Sequence, residues 1–165
     1  CSLGAMSAAA GGGKILQVVS VTKTNTFSTT STTFTDITGL SATITPASAA
    51  NKVLVICHVS GSGDGAGNTP YIRLMRGATA IAVGDAAGAR KQATFALESL
   101  GAGASDFSSG GIPHLDSPST TSATTYKAQM AMRGGTGFVN RSQGDTDAAD
   151  FARSISSITL LEISG

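Results

Sequence analysis

The segment Thr125-Tyr126-Lys127-Ala128-Gln129-Met130-Ala131-Met132-Arg133 alternates with a period of two. Tyr126, Ala128, Met130 and Met132 share one side, and Thr125, Lys127, Gln129 and Arg133 share the other. Such alternation belongs to an extended strand, whose successive side chains point to opposite faces of a sheet. One apolar face and one polar face describe a strand that covers a core and meets water. Other short segments follow the same pattern, separated by clusters of Gly, Ser, Thr and Asn. The chain is therefore expected to be all-β, an antiparallel β-sandwich of jelly-roll type with about eight to ten short strands.

Three segments are apolar on both sides. Ile15-Leu16-Gln17-Val18-Val19-Ser20-Val21 is one of them. In residues 52–59, Val53, Val55, Cys57 and Val59 share a face while Leu54 and Ile56 take the other, so this strand is expected to be central and covered twice. In residues 155–163, Ile155, Leu161 and Ile163 oppose Ile158 and Leu160, which reads as a final buried strand. Leu40-Ser41-Ala42-Thr43-Ile44-Thr45 alternates and stops at Pro46, which lacks the amide a ladder needs. Phe27 and Phe34 punctuate a Thr/Ser tract that reads as edge strand, because Thr is β-branched.

Residues 71–76 and 80–83 read as hairpin arms following the strand at 52–59. Residues 89–100 carry two patterns: a helical stripe of Ala89, Ala93, Ala96, Leu97 and Leu100, and a strand face of Phe95, Leu97 and Ser99. Neighbouring strands favour the second. A short strand is expected at 112–115 and another at Phe138-Val139 after the Gly134-Gly135 turn. Residues 145–153 are left as a helical turn or an ordered loop.

The Ala/Gly-rich opening, residues 1–13, lacks a core-forming pattern and reads as a linker or arm, leaving 14–165 as a single β-sandwich domain. Cys1 is expected to be exposed, and Cys57 to be a small buried thiol. Charged residues make up 13 % of the 165 residues, about half the usual share. Net charge is +1 and the nearest approach to a basic block is the pair Arg90-Lys91. Binding to nucleic acid requires a clustered basic footprint, so none is expected. No apolar run reaches the roughly 18 residues of a membrane-spanning helix, so no membrane insertion is expected.

Catalytic chemistry is sparse. His58 and His114 are the histidines available as bases. His58 lies inside the strongest strand, and His114 would face the same way as Asp116, without a Gly-x-Ser-x-Gly elbow. The run Asp145-Thr146-Asp147-Ala148-Ala149-Asp150 resembles a calcium loop, but Asp150 stands where that loop needs Gly and Ser156 where it needs a bidentate Glu. The glycines of 61–67 are followed by a strand and by no Lys-Ser/Thr pair, unlike a phosphate cradle, and read as a flexible hairpin loop. Asn140-Arg141-Ser142 is a glycosylation sequon in form. Glu98 and Glu162 are the two glutamates and neither sits in a motif. No cofactor, no metal and no catalytic residue is expected.

Several words of the sequence resemble the C-terminal domains of tail-fibre-like virion structural proteins of tailed bacteriophages, many of them marine. They include Lys14-Ile15-Leu16-Gln17-Val18-Val19-Ser20, Thr26-Phe27-Ser28-Thr29-Thr30-Ser31-Thr32, Ile44-Thr45-Pro46-Ala47-Ser48, Leu115-Asp116-Ser117-Pro118, Val139-Asn140-Arg141-Ser142 and Ser157-Ile158-Thr159-Leu160-Leu161-Glu162-Ile163. The resemblance spans nearly everything from Gly13 onward and brings no catalytic residues with it. It implies an extracellular virion component: the distal domain of a tail fibre, which by analogy of architecture is a homotrimer beside other virion proteins. Its partner would be a host-surface glycan or protein. Loops would carry that contact while strands hold the frame, and Asp64, Asn68, Asn140 and Arg141 offer the hydrogen-bonding groups. Two other roles compete: a capsid decoration protein or extracellular filament subunit using its N-terminal arm, and a polysaccharide depolymerase with paired carboxylates.

Overall fold

The computed structural model describes residues 13–98 and 103–165. The arm expected at 1–13 lies outside the described residues except for Gly13, and so do Cys1 and the Ser99 and Leu100 of the two-pattern segment. Eleven strands and no helix are found among the described residues. They are β1 (Ile15–Lys23), β2 (Phe27–Thr29), β3 (Thr35–Ile44), β4 (Lys52–Gly63), β5 (Pro70–Arg76), β6 (Thr79–Ile81), β7 (Phe95–Ala96), β8 (Ser108–Asp116), β9 (Thr124–Met132), β10 (Gly137–Val139) and β11 (Ser156–Ile163).

The strands form two antiparallel sheets in a sandwich. The first is organised around β4. Val53 pairs with Glu162 of β11 on one edge and with Asp116 of β8 on the other. Farther along β4, Gly61 pairs with Val139 of β10 and with Ser108 of β8. β10 and β11 therefore lie end to end along one edge of β4. β2 and β1 flank them in turn. The second sheet runs β3–β9–β5, with β6 and β7 sharing the far edge of β5.

The strand count exceeds the expected eight to ten because β2, β6, β7 and β10 are two- or three-residue pieces. In the first sheet β2 and β10 continue the columns of β1 and β11, with irregular backbone between the pieces. The hairpin expected of residues 71–76 and 80–83 forms between β5 and β6, the one pair of sequence-neighbour strands that are partners among the described strands, whereas the preceding β4 lies in the other sheet and is not a hairpin arm. The β5–β6 turn passes Gly77, whose positive φ of 56° suits a residue without Cβ. Residues 61–63, expected to belong to a flexible loop, are instead buried strand. A Cβ on Gly61 would lie 2.0 Å from the Phe138 carbonyl oxygen, so only glycine permits β10 to approach there.

Alternation places the core between the sheets. Tyr126, Ala128, Met130 and Met132 of β9 are buried as their spacing required, and Ile72 and Leu74 of β5 join them. Val53, Val55, Cys57 and Val59 face them from β4, with Ile158 and Leu160 from β11. Leu97 and Phe95 belong to the same core, so the strand pattern prevails over the helical stripe.

Candidate functional site

Asn140 stands at the break between β10 and β11, with φ of 62° and no exposed surface. Asparagine is among the few residues that tolerate this left-handed conformation. Its Nδ2 donates to the carbonyls of Lys23 at 2.8 Å and Asn25 at 3.0 Å, across the matching break between β1 and β2. Its Oδ1 accepts from Ser156 Oγ at 2.7 Å, and Ser156 Oγ accepts from the Ser60 amide at 3.1 Å. The side chain thus replaces ladder hydrogen bonds where two strand columns are interrupted. This corrects the expectation that Asn140 is a contact residue: it is buried with its amide fully engaged. The sequon is buried with it, since Ser142 is also without exposed surface.

Arg141 is half-buried. Its guanidinium lies 4.0 Å from the Phe138 ring centroid and 2.8 Å from an Asp145 oxygen. Arg153 takes the other oxygen of Asp145 at 2.5 Å. Asp145 is thereby neutralised from both sides in an ordered loop, and no group of three or more metal-ligating side chains occurs among the described residues. Asp64 and Asn68 are brought together at the start of the β4–β5 loop, where Asn68 Nδ2 donates to Asp64 Oδ1 at 2.8 Å. They lie beside the β9–β10 turn, since the Asp64 amide donates to the Thr136 carbonyl at 2.9 Å.

The carboxylates Asp116 and Glu162 are engaged in holding the fold. His114 and Asp116 share the inward side of β8, yet Asp116 is held by Arg76 Nη1 at 2.9 and 3.0 Å and by the Tyr126 hydroxyl at 2.6 Å. These bonds join the two sheets at one rim. Burial, reinforced by Asp116, pushes the Tyr126 hydroxyl well above its ordinary range. Glu162, 1 % exposed, accepts from Asn51 Nδ2 at 2.5 Å, Gln17 Nε2 at 2.7 Å and the Ala47 amide at 2.7 Å. Those donors, Asn51 foremost, hold its carboxyl below the usual carboxylate range despite burial. The Cys57 thiol is pushed up to about 12 by burial, which keeps it protonated and inert.

Two surfaces stand out. The first is the outer face of the first sheet. Register places Val18, Leu161, Leu54 and Leu115 in one row across β1, β11, β4 and β8. The next row holds Ser20, Thr159, Ile56 and Pro113. Val18 is 57 % exposed, Leu115 50 % and Ile56 42 %. The double covering expected of residues 52–59 is therefore absent there: β4 is central, but over Lys52–His58 only its inner face is buried within the described chain, while Ser60 and Ser62 farther along are buried on the outer side. Ile15 and Leu16, at a bulge near the start of β1, extend the apolar surface.

The second surface is a cleft of about 420 Å³ lined by Tyr71, Ala89, Arg90, Lys91 and Arg133. Tyr71 is on the outward side of β5, and Arg133 follows β9. The 82–94 connection between β6 and β7 brings up Arg90 and Lys91. Arg133 adds a third cation to the basic pair visible in the sequence, a convergence that requires the β5–β9 pairing.

No protein-family model and no curated protein matches this chain in sequence.

Proposed function

We propose that the chain is a non-enzymatic structural domain of a bacteriophage virion, the distal part of a homotrimeric tail fibre that meets the host surface. The observation that carries this reading is the apolar row Val18–Leu161–Leu54–Leu115 on the outer face of the first sheet. Strands with apolar residues on both sides normally lie in sheets covered on both faces. β1, β4 and β11 all have that composition, and a second copy of the chain is the natural cover for an uncharged, aliphatic surface. Burying the exposed half of each such side chain is worth about 1 kcal/mol. β1 is also an edge strand among the described strands, a position at which another chain can add.

The assignment of no catalytic role draws on the carboxylates. Asp116, Asp145 and Glu162 are each engaged by hydrogen bonds or ion pairs that hold the fold together. Native mass spectrometry of the purified full chain, repeated over a range of concentrations, tests the proposal. A discrete trimer is the expected result. A monomer at all concentrations would overturn it, and an open-ended polymer would replace it with the filament reading, through strand addition at β1.

A further inference from the structure

We infer that the cleft formed by Tyr71, Arg90, Lys91 and Arg133 binds an acidic saccharide, a sugar unit bearing carboxylate or phosphate groups. The inference rests on the contact-domain reading above and gives that reading its ligand class.

The cleft is prearranged. The 82–94 loop is tied at its neck by the Gly84 amide, which donates to the Ala93 carbonyl at 3.2 Å, and by Gln92 Nε2, which donates to the Gly84 carbonyl at 2.9 Å. Lys91 Nζ donates to the Thr32 carbonyl, anchoring the loop across the outer face of the second sheet. Ala131, on that outward side opposite Tyr71, has no exposed surface. A loop fixed in this way loses little entropy when a ligand arrives.

Its charge is uncompensated. Arg90 Nη1 donates to the Ala87 carbonyl at 3.2 Å, and Arg133 Nη1 donates to the Gly67 carbonyl at 3.0 Å. With Lys91 on Thr32, each cation is positioned by a backbone carbonyl, which orients the group without neutralising it. None of the three is ion-paired among the described residues, whereas Arg76, Lys127, Arg141 and Arg153 all are. The nearby Asp64 carboxylate accepts from Asn68.

The chemistry follows from the donors. A guanidinium holding one carbonyl retains a planar fork of N–H groups suited to carboxylate or phosphate oxygens. Two such forks and an ammonium surround a partly exposed aromatic ring, on which the apolar face of a pyranose can stack. The volume lies within the range of small-ligand sites and matches one or two sugar units better than an extended strand of nucleic acid. Neutral sugars would leave the three cations without a counter-charge. Acidic ones would supply it.

The test is titration calorimetry of the full chain with four probes: a galacturonic acid trimer, glucose 6-phosphate, maltotriose and a short single-stranded oligodeoxynucleotide. Binding of either acidic sugar, at least about tenfold tighter than maltotriose and weakened by salt, is expected. Preference between the trimer and the phosphate tells which anion the site is built for. Arg90→Gln and Arg133→Gln should each weaken that binding about tenfold, with Arg90→Lys weakening it less. Unchanged melting temperatures would establish that these surface variants still fold. Equal binding of maltotriose, binding of acidic sugar that survives both Gln substitutions, tighter binding of the oligonucleotide, or no binding of any probe would each overturn the inference. Native mass measured on the same samples separates the two proposals: a trimer that binds no probe defeats the cleft alone, and a monomer defeats the assembly reading alone.

Discussion

A line across the outer face of the first sheet passes Val18, Leu161, Leu54 and Leu115. The matching line across the second sheet passes Asp36, Gln129 and Arg73, the next one Ser41, Lys127 and Met75, and the one after it Thr43 and Thr125. On the second sheet the outward groups satisfy one another in the open. Gln129 Nε2 donates to Asp36 at 2.7 Å, Lys127 pairs with the same carboxylate at 2.7 Å, and Arg73 Nη2 donates to Gln129 Oε1 at 2.7 Å while lying 4.1 Å from the Phe34 ring centroid. The first sheet buries and saturates Glu162 and Asn140, and its outer face leaves aliphatic side chains exposed beside the hydrogen-bonded Ser20–Thr159 hydroxyl pair. Both sheets bury one face equally well. Outside they differ, one face aliphatic and the other polar and hydrogen-bonded, and we propose that the first meets another chain and the second water or a polar ligand.

Charging the apolar face should produce the largest effect. The double substitution Val18→Lys and Leu115→Lys places two ammonium groups per chain where the partner's aliphatic surface belongs. Each unpaired charge buried in such a contact costs about 3–5 kcal/mol. Sedimentation should find only monomer, with thermal stability of the monomer little altered, because both positions are half-exposed already. The equivalent change on the second sheet, Thr43→Lys, should leave the oligomer intact. A double variant that still assembles would break the contrast between the faces.

An intermediate effect is expected at Glu162. Glu162→Gln turns an acceptor into a donor opposite Asn51 or Gln17 and should cost about 1–3 kcal/mol in urea unfolding at neutral pH. Because the folded-state pKa is depressed, the stabilisation is complete above the unfolded value of about 4.3 and fades as pH falls through the lower folded value. The wild-type chain should lose stability across that acid range, and the variant should lose less.

The smallest effect should come from Asp36, whose carboxyl is held low by hydrogen bonds from Lys127 and then Gln129. Its side chain is 51 % exposed, so solvent and salt screen the pair. Asp36→Asn should cost about 0.5 kcal/mol, less at high salt. A loss as large as that at Glu162 would mean the second sheet's outer face is not open to water.

What the sequence made legible follows the locality of each signal. Alternation in residues 124–132 fixes which side of β9 is buried, because a period of two is a property of the strand itself. The two-sided apolar character of β1, β4 and β11 was legible too, although the covering it called for is not supplied within the described chain. Strand order was not legible: β1 with β11, β3 with β9 and β4 with β8 are joined by chemistry far apart in the chain. The same non-locality hid the basic cleft, since Arg133 meets Arg90 and Lys91 only after folding. Polarity alone places Asn140 in a solvated loop, because it does not distinguish a solvated amide from a buried staple. Its position directly after the apolar Phe138-Val139 pair was the available signal.

Hydroxyl-radical footprinting of the assembled protein tests the contrast between the faces most directly. Leu16, Val18, Ile56 and Leu115 should oxidise as slowly as core residues such as Leu160, while Tyr71 on the opposite side oxidises quickly. Oxidation of Val18 and Leu115 at the rate of freely exposed aliphatic side chains would contradict the account.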